Sequence, residues 1–270
     1  MPDQEIIQRY VAHYSKAVAA FIHEVGEVDA SGIPEPHLPL WGSTYETAKL
    51  RTVFIGRDAS CWGGMPFFLE SARNDIQTVI PLKMRQKEFR DDFVLWTNNF
   101  GTSFWDTARQ HMAAIHHVAD WKMLEEEKKN EILQSLVWAN ANSVELWTAS
   151  AVKRWETKAS KAAKASKRAN FESWKRLKAA SERQLDSFPA ILEVFRPHLA
   201  IVMNWRISPN YWGSARKWEA LGDHVNYTRD ESYGTHVFHT AHPTWLSRKK
   251  MRGVVFDVIH TKWSALQVGN

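Results

Sequence analysis

The sequence predicts an α/β fold in which helices cover both faces of a central, mostly parallel sheet of four strands. Four short apolar segments have the length and composition of buried strands, and they cover residues 51–56, 135–139, 198–203 and 235–240. Helical segments separate them, and strands that alternate with helices are typical of a three-layer α/β/α domain. A chain of 270 residues with 44% hydrophobic content can bury one large core, so we expect a single domain over residues 1–270.

The N-terminal half begins with a predicted helix over 5–25, where apolar side chains recur at helical spacing. The prolines of 31–41 predict an extended connector into the first strand. The segment 71–94 is read as a helical insert with two helices on either side of Pro81. A further helix is expected over 106–117, before the second strand.

The C-terminal half contains a strongly basic insert and the last two strands. Residues 153–178 hold ten lysines and arginines against two glutamates, and the alanines among them favour a helix. Such a run is either a solvated helix face or a surface that contacts DNA, and the sequence leaves both readings open. Pro197 ends the helix that precedes the third strand. A closing helix is predicted over 254–266.

Composition narrows the class of partner. The longest apolar runs fall far short of a membrane span and the N-terminus lacks the features of a signal peptide, so we expect a cytoplasmic protein without a membrane partner. The single cysteine, Cys61, excludes an internal disulfide and a zinc site of four cysteines. A net charge of +5 and a pI near 9.2 favour a polyanionic partner such as DNA. No obligate protein partner is evident, and a monomer is expected.

The segment 240–253 combines a histidine, a rigid turn and a basic run. His242 follows the fourth strand, and Pro243 ends that strand because proline cannot donate to the ladder. Ligands of open α/β sheets bind at the carboxyl ends of the strands, where a neutral imidazole can donate a hydrogen bond to developing charge. Trp245 and Leu246 are expected on the turn. An apolar tip with cations behind it is typical of proteins that enter a base stack while holding phosphates.

Three short motifs, each after a successive predicted strand, resemble those of the uracil-DNA glycosylase superfamily. That family carries GQDPY after its first strand, an asparagine after its second and HPSPLS after its fourth. The corresponding strings here are GRDAS at 56–60, Asn140 or Asn142, and HPTWLS at 242–247. The resemblance covers about half of the chain, and the inserts near 71–94 and 153–178 have no counterpart. It implies a uracil-DNA glycosylase-like fold and a monofunctional DNA glycosylase.

The resemblance implies a role for two catalytic residues. Asp58 would position or polarise the attacking water and counter the positive charge that grows on the sugar, while His242 would donate to the carbonyl oxygen of the departing base. Breaking an N-glycosidic bond gives an oxocarbenium-like sugar and an anionic base, so one carboxylate and one donor on opposite sides of the bond suffice. No metal and no other cofactor is expected.

The resemblance also implies contacts to the base and to DNA. Either asparagine would read the pyrimidine edge, Phe100 would stack on the base, and Leu246 would fill the gap left by the flipped nucleotide. The residues expected around the base are Gly56, Arg57, Ser60, Phe100, Asn140 and Asn142. The residues expected to contact DNA are Trp245, Leu246, Ser247, Arg248 and Lys249, with Lys161, Lys164, Lys167 and Arg168 of the basic insert.

The first motif departs from the family at three positions. Ser60 stands where the family has the tyrosine that blocks the space beside pyrimidine C5, and Arg57 and Ala59 replace its glutamine and proline. The open C5 side and the 14 tryptophans suit a pyrimidine with a bulky C5 substituent. Glucosylated hydroxymethylcytosine in phage DNA is one such base, and the resemblance to the anti-phage branch of the superfamily implies it as a substrate.

Several of these residues, and the chain as a whole, allow a second interpretation. Asp58 could cap a helix, Phe100 could be a core residue, and His236, His239 and His242 could be taken for metal ligands, although strand alternation sends the first two to opposite faces. As alternative functions, the chain could be a uracil or mismatched-thymine glycosylase of DNA repair, a catalytically silent DNA-binding module, or a nucleoside hydrolase.

Overall fold

The computed structural model describes residues 4–31, 33–58, 64–76, 103–118, 120–144, 161–185, 188–204 and 217–268. Within these residues the fold is α/β, with eight α-helices and one seven-stranded mixed sheet. The strands are β1 (Leu40–Trp41), β2 (Thr52–Asp58), β3 (Leu136–Asn142), β4 (Leu199–Met203), β5 (Glu219–Gly222), β6 (Val225–Asp230) and β7 (Thr235–Thr240).

The helices are α1 (Gln4–Val25), α2 (Met65–Asn74), α3 (Ser103–Ile115), α4 (Glu126–Gln134), α5 (Lys161–Gln184), α6 (Phe188–Phe195), α7 (Pro243–Arg248) and α8 (Arg252–Val268). A short 3-10 helix covers Trp121–Met123. The predicted basic helix is present as α5, and 153–160 lies outside the described residues. Of the predicted insert 71–94, the structure describes only the end of α2 and the two residues after it.

The strand order is β1-β3-β2-β4-β7-β6-β5. The four predicted strands are neighbours in this order, and β3, β2, β4 and β7 run parallel. The expectation of a four-stranded, mostly parallel sheet is not confirmed, because the sheet has seven strands and three of the six strand pairings are antiparallel. The additional strands lie at the two edges. β1 has only two residues, and β5 is largely exposed, so neither shows the apolar pattern of a buried strand.

Side chains on the sheet alternate between two hydrophobic cores. On β2, Val53 and Ile55 point into one core, together with α1, α2, α5 and α6. Phe54 points into the other, together with α3, α4, α7 and α8. Helices therefore lie on both faces of the sheet. On the side of the second core, α3 begins beside Gly56 at the end of β2, and α7 follows directly from β7.

Three largely buried histidines make the stability of the fold sensitive to acid. His111 is 1% exposed, and its Nδ1 lies 2.9 Å from Nε2 of His260. Burial, helped by His260 and Arg252, lowers the pKa of His111 to about 3. Burial also lowers the pKa of His260 and of His239 to about 4. All three rings are therefore neutral in the folded protein at neutral pH.

We expect the free energy of unfolding to fall as the pH falls from 6.5 towards 4. In this window the unfolded chain binds protons that the buried rings do not accept, and each unit of pKa difference is worth about 1.4 kcal/mol. The stabilisation is fully present above pH 6.5. Urea denaturation across the window measures it. His111→Gln should show a shallower loss than wild type, whereas His117→Gln, at an exposed position after α3, should follow wild type; equal slopes in all three proteins would contradict the account.

Candidate active site at the carboxyl ends of the parallel strands

The register of β2 and β3 brings the first two motifs together. Gly56 lies opposite Asn140, and Asp58 lies opposite Asn142. Both strands are longer than predicted, because their pairing continues past residues 56 and 139. The motif residues therefore occupy the last strand positions instead of a loop. Only the backbone of Asp58 and of Asn142 is described.

The third motif reaches the same edge through β4 and β7. Met203 pairs with Thr240 at the ends of these strands, and the Asn204 N–H donates to the Thr240 carbonyl oxygen at 3.0 Å. His242 follows two residues later. Because β4 lies between β2 and β7, the ends of the strands that carry Asp58 and His242 are separated by two strand spacings, roughly 10 Å.

Gly56 and the side chain of Asn140 lie close together. A Cβ added to Gly56 would lie 2.7 Å from Oδ1 of Asn140 and 3.2 Å from Cε2 of Phe104. Only glycine leaves room for both side chains at this point. Asn140 is 8% exposed. Of the two candidate asparagines, Asn140 is thus the one whose side chain is described against the first motif.

Phe104, in the first turn of α3, is a site residue that sequence reasoning missed. Its half-buried ring contacts Gly56 and packs edge-on against Trp105, with 5.2 Å between ring centroids. The family motif points instead to Phe100, which lies outside the described residues. The second phenylalanine four positions later in the sequence was the available signal. Ser60 also lies outside the described residues, and only the backbone of Arg57 is described.

His242 is the N-cap of α7, a helix where the sequence predicts a turn. Its Nδ1 accepts a hydrogen bond from the Thr244 N–H at 3.3 Å, and Pro243 occupies the first helical turn. In the neutral ring an accepting Nδ1 leaves the proton on Nε2. The cap therefore selects the tautomer that donates through Nε2.

Leu246 does not occupy the position expected of a wedge. It is 1% exposed and belongs to the second core, because residues 243–248 are helical and direct this position inward. Trp245 is half-buried and its ring packs edge-on against His224, with 4.6 Å between centroids. Leu246 is therefore not exposed in this conformation, and its insertion into a base stack stays a prediction.

The basic stretch behind α7 is exposed. The exposed residues are Ser247, Arg248, Lys249 and Lys250, and Arg252 is half-buried at the start of α8. Lys161, Lys164, Lys167 and Arg168 belong to the first half of α5, where only the backbone is described. The helix α5 packs with the first core, on the other face of the sheet from α7 and α8. The two basic segments therefore border different faces.

Two further findings concern metals and membranes. Among the described residues no group of three or more histidine, cysteine, aspartate or glutamate side chains is placed to hold a metal ion. His236 instead has its Nδ1 2.8 Å from the hydroxyl of Tyr227. None of the described helices combines the length and the apolar composition needed to cross a membrane.

Comparison of the chain with known protein families, with curated proteins and with solved structures gives no match.

Proposed function

We propose that this chain is a DNA glycosylase whose active site lies at the carboxyl ends of β2, β3 and β7. The observation that carries the proposal is the register that aligns Asp58, Asn140 and His242 at one edge, with Asn140 against Gly56. One strand, β4, lies between the strands that carry the carboxylate and the imidazole. The basic stretch after α7 borders the same edge and suits phosphate binding.

The chemistry requires one base and one donor. Water, held by Asp58, attacks C1′ of the sugar as the bond between C1′ and the base nitrogen breaks, and the bonding electrons leave with the base. The Nε2–H of His242 donates to the base carbonyl oxygen, where the negative charge collects. Asp58 takes one water proton and passes it to solvent, and the departing base anion takes up one proton from solvent, so the products are the free base and an abasic site in DNA.

The base is read by two side chains in this proposal. The amide of Asn140 hydrogen-bonds the pyrimidine edge, and the ring of Phe104 supplies an apolar surface beside Gly56. Phe104 takes the stacking role that the family motif gives to Phe100. The close approach of Gly56 to both side chains supports this assignment.

The proposed substrate is a pyrimidine with a bulky C5 group, such as glucosylated hydroxymethylcytosine in phage DNA, which would make the protein an anti-phage enzyme. The support is Ser60, which stands in the sequence where a tyrosine excludes C5 substituents from the related pocket. A repair enzyme for uracil or mismatched thymine uses the same site chemistry and differs only in this pocket.

The experiment that tests the function is a panel of duplexes that carry uracil, mismatched thymine or a glucosylated hydroxymethylcytosine, followed by alkaline cleavage of abasic sites. The proposal expects cleavage at the bulky base with wild type and none with Asp58→Asn. Binding to every duplex without any cleavage would identify a silent DNA-binding module. Cleavage only at uracil would keep the glycosylase and reject the bulky substrate.

We expect the salt dependence of DNA binding to report how many phosphates each basic segment neutralises. Removing a side chain that neutralises one phosphate should reduce the slope of log K against log salt by about 0.9. Replacing Arg248, Lys249 and Lys250 by glutamine should flatten the slope, and so should replacing Lys161, Lys164, Lys167 and Arg168. Fluorescence anisotropy over a salt series measures both. An unchanged slope in the second variant would make that part of α5 a solvated face.

A further inference from the structure

A groove of about 660 Å³ lies between α3 and the start of α8, apart from the strand ends. Its walls are Ala113, Ala114 and Val118 on one side and Phe256 on the other, with Trp121 of the 3-10 helix between them. Polar groups converge on these apolar walls from Gln110, Lys122, Arg252 and Asp120. A cleft of this size with apolar walls and a few polar groups has the character of a ligand site.

Arg252 brings a positive charge to this groove, and its guanidinium group is only partly satisfied by hydrogen bonds to the described residues. Its Nη2 donates to Oε1 of Gln110 at 3.5 Å, the outer limit of a hydrogen bond. Its Nε is covered and has no hydrogen-bond partner among the described residues. A covered guanidinium nitrogen without an acceptor is costly, so the protein itself satisfies the Arg252 guanidinium only in part.

Two exposed apolar side chains are next in sequence to residues that line the groove. Met123 is 79% exposed and Val254 is 51% exposed, and these are two of the three large apolar side chains that are exposed in the described part of the chain. Met123 follows Lys122 in the sequence and Val254 follows Gly253, and both Lys122 and Gly253 line the groove.

The groove is also linked to the proposed active site. The helix α3 begins beside Gly56 at Phe104 and lines the groove at Ala113, a separation of roughly 14 Å along the helix axis. The basic stretch 248–252, which has no acidic residue, leads from α7 to the groove. A DNA strand that passes the active site could reach the groove within a few nucleotides, since these are spaced by about 3.4 Å in duplex and more when extended.

We propose that this groove binds an unpaired nucleotide of the DNA strand that flanks the target base. The phosphate lies against Arg252 and Lys122, and the base packs on Phe256 and Trp121, as bases pack on aromatic rings in single-strand binding proteins. Asp120 lies on the same wall and limits the site to one phosphate, because its carboxylate offsets one of the two cations. This inference rests on the proposed function for its DNA partner, but its test needs no base release.

The test uses binding of a labelled oligothymidylate to the full chain, read by fluorescence anisotropy. Gly253 offers a variant that leaves the fold intact, because no atom lies within 4 Å of a Cβ added there and an acidic residue is favourable in the first turn of a helix. Gly253→Glu places a carboxylate at the groove and should weaken binding by about tenfold through repulsion of the phosphate. Gly253→Gln is the control of equal size and should weaken binding by less than about threefold.

A second pair of variants tests the guanidinium. Arg252→Gln should weaken binding by about tenfold, whereas Arg229→Gln, which removes an equal charge from an exposed position on β6, should leave binding within about twofold of wild type. Polyglutamate should compete poorly, since it lacks bases. Equal binding by all four variants, equal competition by polyglutamate, or tighter binding of thymidine monophosphate than of the oligonucleotide would overturn the proposal. If Gly253→Glu loses binding while the wild-type protein releases base from no duplex, the proposal for the groove stands and the proposed glycosylase activity is rejected.

Discussion

Replacing His242 by alanine is expected to lower base release by at least about a hundredfold while DNA binding stays nearly unchanged. The imidazole sits at the end of β7, and its Nδ1 accepts from the Thr244 N–H, which leaves Nε2–H as the donor. Alanine removes this donor, which in the proposed mechanism hydrogen-bonds the base carbonyl oxygen where the negative charge develops. Single-turnover release of base, measured beside the dissociation constant for the same duplex, separates the two effects.

Two further variants separate chemistry from positioning. Alanine also removes the N-cap of α7, whereas His242→Asn keeps a side chain that can cap the helix. His242→Asn should therefore keep the thermal stability that His242→Ala loses. It should recover base release only in part. Asp58→Asn should match the loss of activity in His242→Ala, because it removes the group that handles the water. Full activity in His242→Ala and in Asp58→Asn would remove this mechanism.

Gly56→Ala is expected to lower base release by about tenfold to a hundredfold with little loss of stability. The added methyl would lie 2.7 Å from Oδ1 of Asn140 and 3.2 Å from the ring of Phe104, so both side chains must move. Both contacts are with side chains, and the sheet can remain paired while they shift. The expected result is a folded protein that binds DNA but no longer positions the base.

Two other glycines provide matched controls for this substitution. A Cβ at Gly42 would lie 2.1 Å from the backbone oxygen of Gln134, so Gly42→Ala must separate backbone segments and should lower the melting temperature strongly. Gly253→Ala meets no atom within 4 Å and should leave the melting temperature unchanged. A Gly56→Ala protein that releases base at the wild-type rate would show that Asn140 and Phe104 do not read it.

The sequence alone predicts the parallel strands of the sheet, but it does not predict the strands at the two edges. Strands β2, β3, β4 and β7 are apolar on both faces and bounded by polar or helix-forming residues, which makes them visible one at a time. The hairpin β5–β6 is held by pairing with β7, a long-range property that no local pattern carries. Sequence reasoning ends β2 and β3 too early because pairing with a neighbour extends a strand past its apolar run.

The candidate site, like the sheet, can be predicted from the sequence only in part. The alignment of the motifs follows from strand order and direction, so residues at strand ends can be proposed from the sequence. The sequence misplaces Leu246 because Pro243 indicates the stop of a strand, although proline also begins helices, and a helix buries this leucine. Phe104 and the groove beside Arg252 depend on how α3 and α8 pack, which the sequence does not reveal residue by residue.

The central claim is that the aligned strand ends hydrolyse an N-glycosidic bond. Its most direct test is to incubate wild-type protein with a duplex that carries one glucosylated hydroxymethylcytosine and to quantify the released base by mass spectrometry. The claim predicts that free modified base and abasic strand appear together in equal amounts, and that an unmodified duplex yields neither. A duplex that is bound but remains intact, with no free base at any time, would contradict it.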